Sequence, residues 1–224
     1  MRKNHEFKNI AYTKEYQFRN EAYDYLFCDE FLEETNEHNF ADSRWRVITK
    51  TYVDKLAPLA LRTQLLEVYS HKNKLIFEQK CYDDRHSPFY ILHANGMEYL
   101  FFWLDLYGYS IFNLTTRTAY HYIPEEVLAG GETFIWTDIT YSGTDKIVAE
   151  GCFWACDHEF EIYDFSAPEK LPYKLLVKHE DLEPDYNNWL KPVGWVSSGE
   201  YAYDEHIVEN GKTAKKVRKS VKFE

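Results

Sequence analysis

Three residues near the middle of the chain have the side chains of a metal or nucleophile site: Cys152, Cys156 and His158, spaced C-x3-C-x-H. Thiolate and imidazole are zinc ligands, and a Cys-His pair can also serve as nucleophile and base. The spacing is not the usual C-x2-C, and no second ligand pair accompanies it. On an extended strand, Cys152 and Cys156 share a face but sit too far apart to hold one ion without a sharp turn. Buried, inert thiols are therefore the default expectation, and no cofactor is expected. Asp105, Asp138 and Asp157 raise a second chemistry, because paired carboxylates hydrolyse glycosidic bonds. A phosphate-binding glycine loop, an H-E-x-x-H and a G-x-S-x-G are all missing from the sequence.

The elements that would position these residues are strands. Thr133–Thr140 is rich in β-branched and aromatic residues, which suit a pleated, half-buried surface. Ser142-Gly143-Thr144-Asp145 is a hairpin turn signal. Lys146–Trp154 is a second apolar run, and Phe160–Phe165 alternates apolar and polar with the period of a strand covered on one face. Pro168 follows and cannot donate to a ladder, and Leu171–Val177 can form a fourth, outer strand. Four short antiparallel strands in about 40–45 residues is the size of one propeller blade. Residues 162–172, Ile-Tyr-Asp-Phe-Ser-Ala-Pro-Glu-Lys-Leu-Pro, resemble the blade core of LVIVD-type β-propeller repeats: an apolar pair leads into Asp-apolar-Ser-x-Pro, and a second Pro follows. The resemblance covers about eleven residues and one full copy.

Imperfect copies occur elsewhere. Val68-Tyr69-Ser70, Ile111-Phe112-Asn113 and Ile162-Tyr163-Asp164 align at separations of 43 and 51 residues, each leading into a polar turn and a further apolar-alternating run. Asn95-Gly96, the strongest short hairpin signal, holds the place that Ser142-Gly143 takes one unit later. Trp189–Ser197, Tyr201–Val208 and Ala214–Phe223 read as three more strands, the last two joined across Asn210-Gly211. Units then start near residues 45, 89, 134 and 189. The expected fold is all-β, a propeller-like array of antiparallel four-stranded units; a β-sandwich or an open meander with a small N-terminal helix is the alternative. The expected organisation is an N-terminal extension over 1–43 and one repeat domain over 44–224. Within the extension, Ile10-Ala11-Tyr12 can add a strand, Asn20–Glu34 reads as helix or strand, and Thr35–Ser43 reads as a polar loop.

In such an array, loops between second and third strands gather on one face. Asp105, Tyr107, Trp154, Asp157 and His158 are accordingly the expected binding residues. The chain carries −11 overall and 18% aromatic residues. The segment from Lys212 to Glu224 carries +5, which leaves −16 on the rest. An acidic body repels nucleic acid and anionic lipid. The basic end fits an outermost strand, where Lys guards an open sheet edge. Met1–Lys8 lacks the apolar core of a signal peptide, no run reaches membrane-span length, and four Cys do not make a disulfide framework. These features together suggest a cytoplasmic, non-catalytic module that binds another protein through an aromatic and acidic face, with self-association as a further option. Carbohydrate binding or hydrolysis at the same face is the alternative, and it needs Trp136 and Trp154 exposed.

Overall fold

A computed structural model describes residues 8–57, 60–82, 87–131, 133–153, 159–182, 188–209 and 212–223. The chain divides into two compact units, Met1–Ile91 with Glu98–Thr133, and Leu92–Met97 with Phe134–Glu224. Both are built from antiparallel meanders, and none of the four sheets closes on itself among the described residues. The protein is all-β with a small N-terminal helix.

The first unit holds two four-stranded sheets. One runs β1 (Leu32–Phe40), β2 (Trp45–Asp54), β3 (Leu61–Ser70), β4 (Leu75–Cys81); the other runs β5 (Phe89–Leu92), β6 (Glu98–Asp105), β7 (Gly108–Asn113), β8 (Thr118–Tyr122). Alternate residues turn to one face of a strand. Val47, Leu66, Val68 and Cys81 of the first sheet thereby pack with Leu100, Phe102, Phe112 and Leu114, and the Phe77 and Phe112 rings stack at 4.1 Å. β6 and β7 are buried on both faces, which explains the unbroken apolar run Tyr99–Leu104. A second cluster joins Leu104 and Ile123 to Ile10, Ala11 and Tyr16. Tyr16 belongs to α1 (Lys14–Glu21), whose start is capped by the Thr13 hydroxyl accepting from the Tyr16 amide.

Several sequence expectations need correction here. The helix lies at 14–21, and Asn20–Glu34 instead supplies two 3-10 turns, Asp24–Leu26 and Asp29–Phe31, followed by β1. The segment Ile10–Tyr12 contributes no strand, only an isolated bridge between Asn9 and Pro124 beside it. Thr35–Phe40 is strand rather than loop. β1 is an edge strand with both faces open over Leu32–Glu37, so it has no apolar alternation to reveal it. The turn to β2 is made by Ala41, Asp42 and Ser43, all at positive φ. The first sheet thus starts at Leu32 and not near residue 45, and the boundary expected at 43/44 falls between two paired strands.

The second unit holds β9 (Ile135–Tyr141), β10 (Lys146–Cys152), β11 (Glu159–Asp164) and β12 (Leu175–Val177), then a three-stranded sheet of β13 (Trp189–Ser197), β14 (Glu200–Glu209) and β15 (Lys212–Lys222). Val148, Phe160 and Ile162 pack against Leu190, Tyr201 and Tyr203. The basic strand β15 is laid against acids of β14. Arg218 and Lys216 bind Asp204 at 2.5 and 2.8 Å, Lys219 binds Glu205 at 2.6 Å, and Lys222 reaches Glu200 at 3.7 Å. Arg218 and Lys216 hold the Asp204 carboxyl down at about 2. Much of the positive charge read from the sequence is therefore matched inside its own sheet.

The three aligned triplets occupy one structural position. Each is the last three residues of the third strand of its sheet, β3, β7 or β11. Each final residue caps the turn that follows. Asn113 Oδ1 accepts from the Thr115 and Thr116 amides, Asp164 Oδ1 accepts from Ser166, and the Ser70 hydroxyl donates to the Lys74 carbonyl.

Candidate functional site

Of the expected binding residues, two are described, Asp105 and Tyr107. Asp105 and Tyr107 share the β6–β7 turn of the first unit, but Asp105 is only 5% exposed. Its carboxylate accepts from the Tyr16 hydroxyl at 2.8 Å and from the Tyr107 amide at 2.9 Å. Burial raises the Asp105 carboxyl, and burial together with the Asp105 charge raises the Tyr16 phenol. Asp105 is thus an anchor for α1 and the turn, not an acid on an open face. Tyr16→Phe is expected to lose about 2 kcal/mol of stability, because it strips a buried carboxyl of a donor that nothing replaces. Urea unfolding measures this, and a loss below about 0.5 kcal/mol would mean water already serves the carboxyl.

Trp154, Cys156, Asp157 and His158 lie outside the described residues. Cys152, half-buried at the end of β10, is the one residue of the C-x3-C-x-H run that is described. Among the described residues, no three His, Cys, Asp or Glu side chains gather into a metal site. Trp136 is 5% exposed and packs on Tyr163 with ring centroids 4.6 Å apart, so it offers no open platform for a sugar.

The second unit brings a different pair of acids together. Asp138 on β9 stands directly opposite Glu150 on β10, next to a bulge in which Trp136 pairs with Gly151 and Thr137 is the extra residue. The Thr137 hydroxyl fixes the bulge by donating to the Glu150 carbonyl at 3.1 Å. Directly opposed side chains on a sheet have Cβ atoms roughly 4.5–5.5 Å apart, and like charges there repel. Both acids lie on the core-bearing face of the sheet, since Glu150 also pairs across to Phe160 and Val148 pairs with Thr140. Asp138 is exposed and Glu150 is half-buried.

An aromatic wall stands beside them. Tyr201 is fully buried, with Phe160 and Trp195 ring centroids 5.5 and 5.1 Å away. The Trp195 indole N–H reaches the Thr140 carbonyl at 3.4 Å. The Tyr201 hydroxyl and the Thr140 hydroxyl make no hydrogen bond of good geometry among the described residues. Burial raises the Tyr201 phenol, and the nearby negative charge of Glu150 and Asp138 adds to this. Two opposed carboxylates beside an indole suit an organic cation. An ammonium or guanidinium group placed there relieves the repulsion and gains from the aromatic faces. Sequence reasoning weighed Asp138 but missed Glu150, Thr140, Trp195 and Tyr201. Counting the register outward from Ser142-Gly143 would have paired Asp138 with Glu150; nothing local points to Tyr201 or Trp195, which come from another sheet.

A separate open cleft of about 440 Å³ lies at the hairpin end of the same unit, among His93, Thr144, Asp145, Lys146, Ser166, Ser198 and Phe223. Lys146 Nζ binds Asp145 at 2.8 Å, which lowers that carboxyl, and lies 5.2 Å from the Phe223 ring centroid. The His93 ring is spoken for: Nε2 bonds the Phe165 carbonyl at 3.0 Å, and Nδ1 takes the Asn95 amide at 3.2 Å.

No protein-family model and no curated protein sequence matches the chain. Among solved structures, MPT-1, a GDP-Man-dependent mannosyltransferase from Leishmania mexicana, is aligned at 12% identity and a TM-score of 0.31, over 86% of this chain and 68% of that one. At that level the likeness supports no statement about fold or activity. No helix among the described residues is long and apolar enough to cross a membrane.

Proposed function

We propose that the protein is a non-catalytic cytoplasmic interaction module that takes a basic segment of another protein on an acidic and aromatic surface of its second unit. The observation that carries this reading is the opposed pair Asp138 and Glu150 beside Trp195 and the buried Tyr201. A Lys or Arg of the partner sits between the carboxylates. The sheets are blade-like units in this reading, in keeping with the LVIVD-type resemblance and with the common place of the three aligned triplets at the ends of β3, β7 and β11.

The test is calorimetric titration with a ten-residue lysine-rich peptide. Asp138→Asn with Glu150→Gln is expected to weaken binding about tenfold or more, as losing a charge-assisted contact costs about 1.5–3 kcal/mol. Unchanged affinity, or no binding by the wild type, would sink the proposal. Asp105 is unsuited to this test because its substitution disturbs the anchor to Tyr16. The carbohydrate reading at the aromatic face loses Trp136, which is buried; the cleft lined by Thr144, Asp145, Ser166, Ser198 and Phe223 offers a small polyol a different place. Hydroxyls, a carboxylate and one apolar ring suit a small polyol, and Phe223→Ala would abolish its binding.

A further inference from the structure

Three strands of nine or more residues end their sheets, β1, β13 and β15, and β1 and β15 carry opposite charge. β1 is the outermost strand of the first sheet and pairs only with β2 among the described residues; β15 is the outermost strand of the last sheet and pairs only with β14. Each leaves a row of backbone amides and carbonyls open along its outer side. β1 spans nine residues and β15 eleven. Over 32–40 the chain has Glu33, Glu34 and Glu37 and no Lys or Arg; over 213–222 it has Lys215, Lys216, Arg218, Lys219 and Lys222 and no acid.

A single-sign edge repels its own kind. Two β1 edges would bring six glutamates together, and two β15 edges would bring their cations together, so like-with-like pairing is disfavoured on both strands. The third combination is not blocked. We propose that the β1 edge of one copy of this chain pairs with the β15 edge of a second copy, continuing the sheet from one molecule into the next. The main-chain bonds supply the affinity, and the charges select the partner.

The side-chain geometry is compatible with this. β1 is exposed on both faces from Leu32 to Glu37, so a neighbouring strand meets no obstructing layer on β1 itself. Lys215 and Glu34 point into solvent. Ion pairs partly neutralise each strand: Lys55 and Arg62 hold Glu33, Arg46 holds Glu37, and on β15 Lys216, Arg218, Lys219 and Lys222 reach acids of β14 while staying 54%, 58%, 38% and 74% exposed. Lys215 and Glu34 are in no ion pair among the described residues, and the exposed Lys222–Glu200 contact is of the kind that rearranges readily, so Lys215 and Lys222 can turn toward β1 glutamates of a neighbour. The contact is heterologous: each copy offers one β1 and one β15. It closes as a reciprocal pair or a larger ring, or runs on as an open chain.

The experiment is light scattering coupled to size exclusion, run on the intact chain over a range of concentrations and at two salt levels. The expected result is a mass that climbs above 26.8 kDa with concentration, and an association constant that falls about tenfold or more when salt rises roughly from 0.05 to 0.5 M. Glu34→Lys with Glu37→Lys makes one variant, and Lys215→Glu with Lys222→Glu makes the other. Each alone should stay monomeric, and mixing the two in equal amounts should restore association, because the second variant keeps the native β1 edge and the first keeps the native β15 edge. Circular dichroism verifies that both variants remain folded. A wild type that stays at monomer mass at every concentration overturns the proposal. So does a charge-swapped variant that associates as well as the wild type, or a mixture that stays monomeric.

Discussion

Glu161→Gln is expected to remove the largest resolved share of the stability that the wild type loses as pH rises from 4.5 to 8. Glu161 lies on β11, is only 7% exposed, and accepts a hydrogen bond from the Tyr163 hydroxyl. Burial is the main reason its carboxyl is pushed up to about 7. Glu159 and Glu180 add to the rise, while Tyr163 and Lys178 oppose it without overcoming it. The folded chain therefore keeps this proton to near neutrality, whereas the unfolded chain releases it near 4.5. Between those values the unfolded state is favoured by proton release, so stability falls as pH climbs and levels off above the folded value. A shift from 4.5 to about 7 corresponds to about 3 kcal/mol. Glutamine keeps an oxygen for Tyr163 and cannot ionise. The two proteins should match near pH 4.5 and differ by about 3 kcal/mol at pH 8, with the variant more stable. The difference curve is the proper readout, because His121, lowered to about 4 by burial, acts the other way in acid. A difference independent of pH would show that Glu161 ionises freely in the folded protein.

The sequence made the repeating framework legible because the framework is local. Asn95-Gly96 and Ser142-Gly143 dictate tight turns through backbone angles only glycine takes easily, and Gly96 and Gly143 stand at φ of 82° and 86°. Asn113 and Asp164 end their strands by capping the next turn. What the sequence hid depends on distant partners or on the lack of any. β1 has no covered face, so its residues carry no period of two. Asp105 looks like a solvated acid until Tyr16, 89 residues earlier, is found donating to it. Asp138 and Glu150 are related by counting from one hairpin, yet the wall beside them comes from β13 and β14. The basic end shows the same limit: its cations stand out in the chain, but their partners Asp204 and Glu205 lie across a strand pair.

Gly151→Ala is expected to be among the costliest single-methyl changes in the second unit and to disturb the acidic pair with it. Gly151 is the β10 residue facing the bulge at Trp136 and Thr137. A Cβ built there lies 1.9 Å from the Ile135 carbonyl oxygen, 2.9 Å from its carbon and 3.1 Å from Phe134 Cζ. The first two contacts are backbone, so no rotamer change relieves them; β9 has to move away from β10. β9 carries Asp138, and the bulge is fastened through Thr137 to the Glu150 carbonyl. The expected cost is about 3 kcal/mol, the upper end for overpacking a well-filled interior, together with weaker binding of the lysine-rich peptide. Gly143→Ala is the control. Its Cβ would meet nothing within 4 Å, and only the positive φ of 86° resists it, which costs about 1–2 kcal/mol. Denaturant unfolding of the two variants separates a backbone clash from a turn preference. If Gly151→Ala unfolds no more easily than Gly143→Ala and still binds the peptide as the wild type does, the bulge yields without cost and does not hold Asp138 against Glu150.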